Sequence, residues 1–175
     1  ETYGAGSTGG FGGVVNASNI NVNARTNGTT TLSYLGDVGD GSVAAANNLE
    51  IDAVVLSAST SSMASGGGSI FGDFQGGNAN SITKHTVNVT FGGTGSTMNV
   101  SNNIEGKASL LSDADSSGYA SGFGGFASSK SVGTSASATG TVNFNVGDTQ
   151  HVEAGQLIEL IAEQGGEGSD ISDGT

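Results

Sequence analysis

The chain has 175 residues, 32 of them glycine, with no proline, cysteine or tryptophan, and 16 acidic residues against 4 basic ones for a formal net charge of −12. Phosphate binding needs clustered cations; Arg25, Lys84, Lys107 and Lys130 lie far apart without interleaved aromatics, which excludes nucleic acid, while the lack of any run of 18 apolar residues argues against membrane insertion. Without cysteine there are no disulfides and no thiolate metal sites, and 34% hydrophobic residues suffice only for a thin core.

The first element is a Gly-Phe segment, Gly10-Phe11-Gly12-Gly13-Val14, followed by Asn19–Ala24, whose apolar and polar residues alternate as in a half-buried strand. Thr31-Leu32-Ser33-Tyr34-Leu35-Gly36 continues that pattern, and Gly36-Asp37, Asp40-Gly41 and Asn47-Asn48 read as turns. Leu49-Glu50-Ile51-Asp52-Ala53 is the next strand, and Ile70-Phe71-Gly72-Asp73-Phe74 is a second Gly-Phe segment. Thr86-Val87-Asn88-Val89-Thr90-Phe91-Gly92 alternates strictly, then Gly92–Gly95 turns into Met98–Ser101, Asn102-Asn103 and Ile104-Glu105-Gly106-Lys107-Ala108. A third Gly-Phe segment, Gly122–Phe126, precedes Thr141-Val142-Asn143-Phe144-Asn145-Val146-Gly147. Last comes Gly155–Gln164, containing Ile158-Glu159-Leu160-Ile161-Ala162, which has helical spacing when read alone but is expected to be a strand because its counterparts at Leu49 and Ile104 are.

These elements recur. Similar segments begin at Thr31, Thr86 and Thr141, evenly spaced (86 − 31 = 141 − 86 = 55), and others at Leu49, Ile104 and Ile158, spaced 55 and then 54. The Gly-Phe segments, aligned on Phe11, Phe71 and Phe123, are 60 and 52 apart, as if connecting loops varied in length. A fixed period of this size marks a stacked array, since a short β unit cannot bury its apolar face alone. The expected fold is all-β, a right-handed parallel β-helix of about three ~55-residue repeats. The units run approximately 1–60, 61–115 and 116–170, with 170–175 starting a further one, as in an excerpt of a longer array. Turn signals every 6–10 residues or so suggest a coil of roughly 18 residues, hence about three coils per unit.

Several residues stand out. Phe11, Phe71, Phe74, Phe123 and Phe126, with Val89 and Phe144, are expected to form a structural stack, the Gly-Phe rings lining the interior or plugging one flank. Asn88 and Asn143 share one phase; alternation turns them outward, where they would offer a flat hydrogen-bonding surface suited to sugar or ice, whereas inward they would make an Asn ladder. Thr29-Thr30-Thr31 is too isolated in sequence to make an ice-binding array. Calcium takes several hard oxygens in a turn, and Asp37/Asp40, Asp113/Asp115 and Asp170/Asp173 each supply two, although Asx-turns use the same residues. No other cofactor is indicated. His85 and His151 occupy different phases without ligand-spaced neighbours, and no nucleophile, base or basic groove converges, so no catalytic residue is assigned and an enzyme is not expected.

The repeated strand, the Gly/Asn turns and the Ile/Leu-Glu-x-x-Ala pattern resemble the tandem-repeat regions of giant bacterial surface adhesins of the filamentous-haemagglutinin and leukotoxin-like kind. The resemblance implies an extracellular, cell-surface β-helical stalk that makes adhesive contacts with host or glycan surfaces or bundles into fibres. On this reading the chain is a structural, adhesive segment that acts by coil stacking and end-to-end or lateral self-association, its partners being adjacent repeats or further copies of itself. The alternatives are a calcium- or glycan-binding module and, on fold analogy, a β-helix polysaccharide lyase or hydrolase.

Overall fold

A computed structural model describes residues 2–39, 44, 46–149 and 151–174, with side chains as far as residue 166. The described chain is all-β: β1 (Thr2–Gly12), β2 (Val15–Tyr34), β3 (Ala46–Ser69), β4 (Gly72–Phe91), β5 (Thr97–Gly124), β6 (Ala127–Val146), β7 (His151–Ala154) and β8 (Leu157–Gly174). The segment with helical spacing is a strand from Leu157 onward, where each of its residues pairs in register with β5; Gly155 and Gln156 form the bend before it.

The strands form two parallel sheets. The first runs β1-β3-β5-β7, with β8 also on β5; the second runs β2-β4-β6. The chain alternates between them, and each strand returns beside the one a period earlier: Thr2 pairs with Ser59, Val15 with Gly72, Leu49 with Ile104, Gly72 with Ala127 and Ile104 with Ile158.

One repeat is therefore one circuit of two long strands, where the turn spacing had suggested three short coils. Strands of 20, 24 and 28 residues far exceed the usual five or six. They persist because no proline removes a ladder donor. Many of the glycines and asparagines that read as turns lie inside strands: Gly66-Gly67-Gly68 in β3, Gly76-Gly77 in β4, Asn47-Asn48 at the start of β3 and Asn102-Asn103 in β5. Among the described residues the direction changes at 13–14, 70–71 and 125–126 on one flank and at 35–39, 92–96 and 147–149 on the other. In the 92–96 turn, Gly92 and Gly95 adopt φ of 83° and 74°, a region costly to residues with a Cβ.

The pairing also corrects two alignments. Thr29, not Thr31, is the partner of Thr86, because the first two circuits are offset by 86 − 29 = 57 positions and not by 55. Phe11 aligns with Phe123 through Gly68, and Phe71 aligns with Phe126. Matching Phe71 to the wrong phenylalanine by three positions produced the apparent 60 and 52; the register itself is 57 and then 55.

The interior between the sheets changes character from flank to flank. Beside the wider turns lies the main apolar core, Ile51, Val87, Val89, Phe91, Met98, Val100, Ile104 and Leu110, with Phe144 packed against it. Next is a hydroxyl layer that ties the sheets together: Ser59 Oγ lies 2.8 Å from Ser81 Oγ and 2.7 Å from Thr83 Oγ1, and Thr83 donates to the Asp113 carbonyl at 2.6 Å. Val22, Met63 and Ala79 form a second small cluster, and the tight-turn flank closes on buried Asp73 and Gln75.

Candidate functional site

Period-two alternation on β2, β4 and β6 sends every other side chain to the outer face of the second sheet. The pairing register sorts these into columns: Thr29–Thr86–Thr141, Thr31–Asn88–Asn143 and Ser33–Thr90–Asn145. Nine neutral hydroxyl or amide residues thus form a three-by-three lattice, spaced about 4.8 Å across strands and about 6.7 Å along them. The column at Thr29 draws one member from each of three successive circuits, so the local isolation of Thr29-Thr30-Thr31 was no guide to the array.

Asn88 and Asn143 are outward and laddered at once: Asn143 Nδ2 donates to Asn88 Oδ1 at 2.8 Å. Asn78 to Asn21 and Asn80 to Asn23 repeat the contact at 2.9 Å. Stacked amides of this kind bond to one another along the column and still offer free donors and acceptors to solvent. Arg25 and Lys84 sit at outward positions of the same sheet, whose only acidic residue, Asp73, points inward.

The first sheet presents the opposite chemistry. Glu50, Glu105 and Glu159 stand in one column, like charges that repel across strands. Beside them Lys107 Nζ meets Glu163 Oε1 at 2.6 Å. The hydrogen bond and charge of Glu163 raise the Lys107 ammonium above its usual range, and Lys107, then Ser109, hold the Glu163 carboxyl below its own.

The expected aspartate pairs fall in different settings. Asp37 Oδ1 accepts the Thr97 amide at 2.7 Å, a bond from one circuit to the next and not within its own turn; its partner Asp40 lies outside the described residues. Asp113 and Asp115 are two apart on β5, in mid-strand and not in a turn. Asp170 and Asp173 lie on β8, their side chains outside the described residues. Among the described residues no three His, Cys, Asp or Glu side chains gather as a metal site.

His85 points inward between Gly28 and Gly140, its paired neighbours; Gly28 leaves room for the ring and Gly140 for Leu110, and His85 Nε2 lies 3.0 Å from Thr30 Oγ1. His151 Nε2 pairs with Glu153 at 3.0 Å on the surface.

The Gly-Phe rings are not interior. Phe11, Phe71, Phe74, Phe123 and Phe126 lie along the tight-turn flank, between 44% and 82% exposed. Phe71 and Phe126 stack there at a centroid distance of 5.2 Å. The two-residue turns have no depth in which to bury a ring, so only Val89 and Phe144 of the expected stack reach the core.

Sequence reading missed the buried carboxyl of Asp73, whose Oδ1 accepts from Asn16 at 3.0 Å and Gln75 at 2.8 Å. The available signal was a glycine column, Gly10–Gly67–Gly122, in which Gly122 makes space for the carboxyl and Gly67 for the Asn16 and Gln75 amides that bond it.

No family model matches the chain, and neither a curated protein nor a solved structure matches it. No helix among the described residues is long and apolar enough to cross a membrane.

Proposed function

We propose that the chain is a structural and adhesive segment of an extracellular bacterial surface protein or filament: a right-handed parallel β-solenoid with one circuit per repeat, working through stacking of its circuits. The observation that carries this reading is the pairing register, in which each strand lies parallel to its counterpart one period earlier in the chain. The resemblance to filamentous adhesin repeats agrees with it. β2 and β6 have β4 as their one hydrogen-bonded neighbour, and such edges pair readily with further strand. Heterologous contacts of that type extend instead of closing.

Negative-stain microscopy and sedimentation of the 175-residue chain test the reading. Rods that lengthen with concentration are expected. Particles of fixed length at every concentration would overturn axial assembly.

The Asn/Thr/Ser lattice favours one second reading, a module binding a neutral, hydroxyl-rich ligand such as a glycan. Its neutral amides and hydroxyls and its lack of carboxylates suit a polysaccharide surface, with Asn88 and Asn143 at its centre and edge.

A further inference from the structure

The tight-turn flank carries a seam of apolar side chains that the fold leaves in solvent. Val14, Phe71 and Phe126 follow one another up the stack, since the Phe71 amide bonds the Val14 carbonyl and the Phe126 amide the Phe71 carbonyl, each at 3.0 Å. Phe11 and Phe123 flank that column on the first sheet and Phe74 on the second. With about 150–250 Å² per aromatic side chain and the exposures given above, the five rings present on the order of 600 Å². Val14, 62% exposed, adds to that.

A soluble monomer's largest apolar patch is about 300–600 Å² and is often functional, and a stable pairing buries about 800 Å² per partner. This seam stands at the top of the first range and supplies most of the area that the second requires.

Charge says what covers it. The chain carries −12 overall, so two copies repel, least where carboxylates are absent. Residues 8–18, 64–76 and 119–131, which build the flank, contain one acidic residue, the buried Asp73, and Asp173 of β8 stands only at its margin, in register with Tyr119. The glutamate column and Asp52 lie toward the opposite end of the long strands. A second copy also brings rings at the same strand-spaced repeat, so the two columns can interdigitate along their whole length.

We propose that the seam is a self-docking surface on which a second copy of this chain lies side by side, aromatic column against aromatic column. The pairing is lateral and does not depend on the axial stacking proposed above, because it widens a particle where end-to-end growth lengthens it.

The test is sedimentation of the chain over a range of concentration and salt, beside the double variant Phe71→Ser/Phe126→Ser. A second double variant, Phe11→Ser/Phe123→Ser, and far-ultraviolet circular dichroism check that folding is retained. The native chain should form pairs whose affinity rises with sodium chloride, as screening removes repulsion while apolar burial is kept. Either double variant should weaken pairing at least tenfold with an unchanged spectrum.

A native chain that stays monomeric in width throughout would overturn the proposal. So would pairing indifferent to both variants, or pairing that salt dissociates. If the native chain stays unpaired but binds soluble oligosaccharide in a way either variant abolishes, the seam is a sugar platform and the proposal fails.

Discussion

Lys107 and Glu163 show how a single contact acts on an exposed sheet face. The pair spans neighbouring strands at 2.6 Å, both groups stand in solvent, and screening keeps such a bridge weak. The shifts set its pH window. Glu163 is held below its ordinary range, so its contribution is present above the unfolded carboxylate's pKa and is lost as pH falls through the folded one. Lys107 is raised, so its contribution is complete below the unfolded ammonium's pKa and is lost as pH rises through the folded one. Lys107→Gln should therefore lower the melting temperature slightly at neutral pH and low salt. The difference from the native chain should vanish in acid, once Glu163 is protonated in both. A difference that persisted unchanged at low pH would assign the loss to the lysine stem's packing and not to the charge pair.

At the scale of an element, the sheets meet through complementary sizes more than through a continuous apolar layer. Gly106 on β5 faces Phe144 on β6: a Cβ added there would come within 2.5 Å of the ring and 3.0 Å of Leu160. Gly106→Ala should accordingly destabilise the fold by about 1–3 kcal/mol, read from denaturant midpoints at unchanged slope. A loss below about 0.5 kcal/mol would mean that the ring moves aside freely. This pairing was half legible. Leu49, Ile104 and Ile158 carried enough side-chain similarity to give their register correctly, and Val87, Val89 and Phe91 announced a buried face by strict alternation. Gly106 could not announce Phe144, because the two elements meet across the interior at no fixed sequence offset. The same limit hid the Thr29–Thr86–Thr141 column, whose first step is two positions longer than its second. Circuit size was misread because glycine carries no local mark that separates a turn from a strand position where another chain segment comes close. Gly67, against the Asn16 and Gln75 amides, and Gly122, against the Asp73 carboxyl, belong to the second kind.

For the whole molecule, the topology makes folding slow. Every ladder joins positions a full circuit apart, as in Thr2 with Ser59 or Ile104 with Ile158. That separation is roughly a third of the chain length, whereas even slow two-state β domains have relative contact orders of about 0.16–0.22. Little local structure offsets the loop-closure entropy, because neither long strand of a circuit has a hydrogen-bonded partner until the next circuit arrives. Refolding from denaturant should thus take seconds or longer and slow further when Val89 or Leu110, both fully buried, is truncated to alanine in a nucleus built from two adjacent circuits. The sequence supplies an internal control. With no proline and no cysteine, the slow phase can arise neither from prolyl isomerisation nor from disulfide exchange, so prolyl isomerase and thiol reagents should leave its rate unchanged. Stopped-flow refolding complete within milliseconds would show that the chain folds through local contacts, and that the long-range parallel register is not what limits its assembly.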